Sequence, residues 1–313
     1  MALPTLEKTW QHDVNQDLAT SGVLATDQRA LMFAIKDSLV SFAVQAWTVL
    51  LSSDSSSAGA ADYWVDAGDL VFAGPGTPHS WIVLKQTGLG TNVQICIDLI
   101  NQYDYSVATV ILSPSAGFTG GSTTARPTAT DEVTVLSSAA WTSLAAAVDV
   151  KLHVMQSDDG QCTRVVICSQ STCKGLWIID KLADSALTVP VVASIKNGSF
   201  TASNYLASAY FVGRHSTTNL TTYCGTEYYS STAGVNANSG APSDISGLYP
   251  ITPLSAWSET TSAKGRLGRF QDLWIGSSSF GLGGTYPATP DSKLFAQFQQ
   301  FVFPWDGSTP LIV

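Results

Sequence analysis

The stretch "CTRVVICSQSTC", residues 162–173, brings together three of the chain's five cysteines. Thiolates at suitable spacing hold zinc or iron, and paired thiols close disulfides. Cys162, Cys168 and Cys173 have five and four residues between them, whereas zinc-binding cysteines usually have about two to four. A fourth ligand would have to be Cys96, Cys224 or one of His12, His79, His153 and His215, with His153 the nearest histidine. Alternation along "CTRVVIC" puts Cys162, Arg164, Val166 and Cys168 on one strand face. The pattern favours buried structural thiols, because cysteine packs as a small hydrophobe. A Cys168–Cys173 hairpin disulfide and a metal site stay open beside it.

Other chemistry has less to stand on. The histidines form no HExxH arrangement; His153 lies mid-strand in "KLHVMQ", and His79 follows the turn in "AGPGTPHSW". A GxSxG nucleophile elbow is missing, and "GSSSFGLGG" (276–284) lacks the Lys-Ser/Thr of a phosphate loop. Asp66 with Asp69, and Asp158 with Asp159, are close in sequence, but acid–base pairs act across a cleft. "DDG" at 158–160 reads better as a turn. The expectation is a protein that is not an enzyme and uses no cofactor or metal. Among the aromatics, Trp81 and Trp177 sit in apolar strands and read as core. Tyr228 and Tyr229, in "GTEYYSSTAG", lead into a long loop and are candidates for contact, including with a carbohydrate.

The elements that would position these residues are mostly strands. Residues 1–25 are polar, with no clear period, and read as an arm. "TDQRALMFAIKDSLVSF" then forms an amphipathic helix, capped by Thr26 or Asp27, with Leu31, Ile35, Leu39 and Phe42 on one stripe. That stripe packs on its own domain or serves as an assembly contact. From residue 45 onward, short runs such as "SWIVLK", "NVQICIDL" and "YSVATVILS" alternate with turn residues. A weak second helix is suggested over 137–150. Two long Ser/Thr/Gly loops, 113–132 and 231–253, are of a length that is usually functional or interface-forming. The organisation is an arm and helix over 1–45, then a β body over 46–313 that divides, if anywhere, near 181–190. The fold class is mainly β: an antiparallel β-sandwich, jelly-roll-like.

Charge narrows the partners. The net charge of −9 argues against nucleic acid, since phosphate affinity comes from lysine and arginine. The one basic run, "KGRLGRF" with Lys264, Arg266 and Arg269, reads as a solvated turn. Only 12% of residues are charged, against roughly 25% usually, so little like-charge repulsion opposes self-association. No signal peptide opens the chain and no apolar run reaches about 18 residues, which implies cytoplasmic synthesis and no membrane span.

"LATDQRALMFAIKDSLVSF", "HSWIVLKQTG", "SPSAGFTGGSTTARPTATDE" and "HVMQSDDGQCTRVVIC" resemble segments of uncharacterised virion structural proteins of tailed bacteriophages. The resemblance implies a multi-copy, tail- or baseplate-type component of the virion, made in the host cytoplasm. It would act as a homo-oligomer in contact with other virion proteins. It assigns no functional residue. The alternative is a carbohydrate- or receptor-binding module that touches a host-surface glycan through loop aromatics.

Overall fold

The structure, a computed structural model, describes residues 6–15, 24–53, 79–86, 88–90, 92–100, 107–122, 125–137, 150–169, 172–195, 211–214, 221–225, 251–259, 264–276, 285–287, 294–298 and 301–305. Among the described residues the fold is mainly β, with antiparallel sheets and one helix. After β1 (Trp10–Asn15) and α1 (Leu24–Ser41), a five-stranded meander runs in chain order. Its strands are β2 (Thr48–Ser52), β3 (His79–Lys85), β4 (Gln94–Ile100), β5 (Val107–Ser113) and β6 (Val133–Ser137). The rest of the described chain builds a twelve-stranded sheet. It contains β7 (Val150–Ser157), β8 (Cys162–Ser169), β9 (Thr172–Asp180), β10 (Val191–Ile195), β11 (Phe211–Arg214), β12 (Thr221–Gly225), β13 (Ile251–Glu259), β14 (Lys264–Gly276), β15 (Thr285–Pro287), β16 (Leu294–Phe298) and β17 (Phe301–Trp305). Its order is β1-β7-β8-β9-β10-β11-β12-β13-β14-β17-β16-β15.

One apolar cluster takes side chains from both sheets and the helix. The meander supplies residues such as Ile82, Ile95, Ile97 and Val110, and the large sheet supplies Leu152, Val154, Val165, Ile167, Trp177 and Ile179. Helix α1 lies against β5 of one sheet and β7 of the other. Leu31, Ile35, Leu39 and Phe42 all point into this cluster, so in this chain the stripe packs on its own core. Truncating a fully buried Ile35 or Leu39 to alanine costs about 2–5 kcal/mol. At the helix end, Trp47 N donates to Leu39 O (3.0 Å), while Gln45 adopts a left-handed backbone (φ 54°) that turns the chain toward β2.

Residues 6–15, read from the sequence as part of an arm, carry a strand in the structure: β1 pairs antiparallel with β7, from Trp10 opposite Ser157 to Asn15 opposite Leu152. Its alternation was weak because only Trp10 and Val14 mark an apolar side. "KGRLGRF" is not a solvated turn but the start of β14. Gly268 within it serves close approach. With φ 154°, it lies where an added Cβ would meet Ala183 O at 2.7 Å, and Arg269 and Ala183 exchange backbone hydrogen bonds beside it (2.8 and 3.0 Å). Residues 181–190 join β9 to β10, which pair directly with Val191 opposite Asp180, so they turn within one sheet. Residues 138–149, most of the weak helix, lie outside the described residues. Among the described residues no helix is long and apolar enough to cross a membrane.

Candidate functional site

The most concentrated polar chemistry lies on the face of β8 opposite the large core. Alternation there sends Val165 and Ile167 into the core cluster and turns Cys162 and Arg164 the other way. Arg164 is fully buried. Its Nη2 donates to Asp180 Oδ2 (2.9 Å) and to Gln271 O, and its Nη1 donates to Asp272 O (3.0 Å). The Trp10 ring covers the guanidinium, 4.4 Å from centroid to Cζ. The ion pair is single rather than forked. Arg164 Nε and Asp180 Oδ1 find no partner among the described residues. Burial therefore outweighs Arg164 and raises the Asp180 carboxyl to about 6. Burial, with Asp180 next, also pushes the Cys162 thiol well up, so it stays protonated and is no nucleophile.

Asp272 completes the site. Its backbone is left-handed (φ 52°) and its side chain is buried, an uncommon combination for a non-glycine residue in a strand. The carboxylate accepts from Glu7 N (2.8 Å), Lys8 N (2.9 Å) and Trp10 Nε1 (2.9 Å). Around it, Lys8 Nζ reaches Asp159 Oδ2 (2.5 Å), Arg269 pairs with Glu7, and Asp158 N donates to Thr9 O (2.9 Å). Gln11 exchanges two hydrogen bonds with the Val44 backbone (2.9 and 3.1 Å). The arrangement clamps residues 7–11 onto β7, β14 and the segment that follows α1. On the same strand pair, the His12 and His153 rings lie 5.6 Å apart between centroids, tilted by 38°. Burial, with His12 and Lys151, lowers His153 to about 3, so that imidazole is neutral at ordinary pH.

A second polar construction lies on the outer face of the meander. The 113–132 loop folds into a short hairpin with bridges Thr119–Thr128 and Ser122–Ala125. The buried Asp131 accepts from Ser113 Oγ (2.6 Å), Ser115 N (2.7 Å), Ser115 Oγ (2.7 Å) and Ala116 N (2.9 Å). Arg126 forks onto Glu132 (2.9 and 2.8 Å), and its Nε lies 3.9 Å from Asp98. The Glu132 hydrogen bond holds the guanidinium pKa above its ordinary value. Trp81 Nε1 donates to Ser122 O (2.9 Å), so the hairpin roofs a small core of Trp81, Val83, Cys96, Ile111 and Phe118. Thr119, Gly120, Gly121, Ser122, Ala125 and Thr128 stay exposed at its end.

No protein-family model matches the chain. No curated protein is detectably similar to it.

The structure brings Leu31, Ile35, Leu39 and Phe42 together, but inside the core. Cys162 is a buried free thiol, and Trp81 and Trp177 are core aromatics, as the sequence suggested; Cys96 is a buried free thiol as well. Cys168 faces Cys173 in the β8–β9 register; their side chains lie outside the described residues. Tyr228, Tyr229, Asp66, Asp69 and His215 also lie outside them, as does the side chain of His79. No group of three or more His, Cys, Asp or Glu among the described residues could hold a metal ion. Sequence reasoning missed Trp10, Asp180 and Asp272. The available signal was Arg164 itself, a charge inside an otherwise apolar alternating strand, which must find a buried partner.

Proposed function

We propose that the chain is a structural subunit of a tailed-bacteriophage virion, tail-associated, acting by self-association and contact with neighbouring virion proteins. In this reading the two sheets form a jelly-roll-like β-sandwich made in the host cytoplasm. The observation that carries it is the 113–132 hairpin. Asp131, the Arg126–Glu132 fork and the Trp81 bond fix a surface loop whose exposed end is hydroxyl-rich and nearly uncharged. A pre-fixed loop loses little entropy on contact, and an end without charge meets little repulsion from a neighbour. The Arg164 clamp supports the same reading, because its buried charges hold distant segments together.

The test is incorporation into purified particles. Thr119→Lys and Thr128→Lys place charges on the exposed hairpin end and keep both its backbone bridge and the Asp131, Arg126 and Trp81 bonds. The expected result is an unchanged melting temperature with incorporation reduced at least several-fold. Full incorporation of both variants, or absence of the wild-type chain from particles, overturns the proposal.

A further inference from the structure

We propose that residues 6–15 of one copy fill the groove beside β7 in a second copy, so that the chain assembles by exchanging its first strand. The inference rests on the self-associating reading above and names the contact that would perform it.

The groove is built to be filled. Asp272 is buried in a left-handed backbone, and its carboxylate takes three donors from Glu7, Lys8 and Trp10. The Trp10 ring closes over the buried Arg164 guanidinium. An empty groove would leave that carboxylate without those donors, uncover Arg164 and open the edge of β7 for pairing. A segment with the same sequence satisfies every one of these groups, whichever copy it comes from.

The strand that fills the groove is suited to exchange. Every side chain of β1 is half-buried, and none belongs to the large core cluster. Its attachment is directional: a six-residue ladder with β7, the Lys8–Asp159 and Glu7–Arg269 pairs, and the Gln11–Val44 bonds. Such contacts set register and partner while giving up little apolar burial when the strand leaves. β1 also stands at the edge of the twelve-stranded sheet. Eight residues separate Asn15 from Leu24, a contour of at most ~29 Å. That length lets β1 reach an adjoining subunit while α1 keeps its place in the core. Exchange of an identical element replaces each intramolecular contact by an identical intermolecular one, a low-cost route to association.

The Lys8–Asp159 contact supplies a test on the unaltered chain. Equal amounts of unlabelled and uniformly ¹⁵N-labelled full-length protein are refolded together and treated with a zero-length carbodiimide cross-linker. The Lys8–Asp159 peptide is then weighed by mass spectrometry, with sedimentation run in parallel. Exchange predicts that roughly half of these cross-links join one labelled and one unlabelled segment. An oligomer giving same-isotope cross-links alone overturns the exchange and leaves the virion-subunit reading standing. A monomer giving same-isotope cross-links alone overturns the exchange and counts against self-association as well.

Discussion

Asp272 and Asp131 do the same chemistry at opposite ranges. Each is a buried carboxylate that collects backbone and side-chain donors from one segment. The donors to Asp131 lie 15 to 18 residues away, whereas those to Asp272 lie 262 to 265 residues away. The first bond set shapes a loop within the meander; the second forms only once the twelve-stranded sheet has brought β1 and β14 together. Asp131 therefore governs local order on the meander, while Asp272 and Arg164 govern how the two ends of the chain close on each other.

The largest effect should come from Arg164→Ala. It leaves Asp180 buried without its counter-ion and removes the guanidinium that the Trp10 ring covers. The expected loss is about 3–5 kcal/mol of unfolding free energy by denaturant titration at pH 8. At pH 5 the loss should be smaller, because Asp180, already raised to about 6, takes up a proton. An equal loss at both pH values would show that packing, rather than the ion pair, sets the cost.

Next come the two carboxylates themselves. Asp272→Asn should expose the amides of residues 10–15 to hydrogen exchange and lower global stability by about 1–3 kcal/mol. Asp131→Asn should speed exchange over 115–130 by a comparable local free energy while the global transition barely moves. If Asp131→Asn lowers the global transition as much as Asp272→Asn, the division into local and global roles is wrong.

That division also explains what the sequence could reveal. Strand alternation is local, so "SWIVLK" and "CTRVVIC" were legible, and so was the helix stripe from Leu31 to Phe42. The direction of that stripe was not, because a period shows that a face is apolar but not what covers it. β1 was missed because its stability comes from Asp272 and Ser157 partners across the whole chain. The 113–132 loop was legible as a loop, but its bracing depends on Asp131, Arg126 and Glu132, which look like ordinary turn residues until the hairpin closes.

Titration offers a milder way to separate contributions within the large sheet. The His153 imidazole is ordinarily protonated below 6.5, but in the folded chain only below about 3. Its contribution is present above 6.5 and is lost as pH falls toward 3, by up to ~1.4 kcal/mol per pH unit. Asp180 works in the opposite direction. Its contribution is full below the ordinary 3.8 and is lost as pH rises through about 6. Between pH 4 and 6 the two slopes oppose, so stability should stay nearly level there. The facing groups are His12 and Lys151 for His153, and Arg164 and Cys162 for Asp180. His153→Leu should unmask Asp180, giving a melting temperature that rises on acidification from pH 6 to 4. A flat profile in that variant would mean that Asp180 does not titrate in this range.

The smallest effect belongs to Lys8 and Asp159, the most exposed part of the clamp. Their side chains are 20% and 39% exposed, so water competes for the 2.5 Å contact despite its short length. Burial opposes charge on both groups, yet the bond between them raises the Lys8 pKa and lowers that of Asp159. The pair therefore favours the charged forms at neutral pH, and its contribution fades as pH falls through the depressed Asp159 value. Lys8→Ala should cost no more than about 1 kcal/mol, and added salt should shrink even that. The Lys8 backbone N–H still reaches Asp272 in this variant, so residues 10–15 should keep their protection from exchange. A Lys8→Ala loss as large as that of Arg164→Ala would place the anchor of β1 at its exposed rim, and the buried contacts of Asp272 and Arg164 would no longer be what closes β1 onto the sheet.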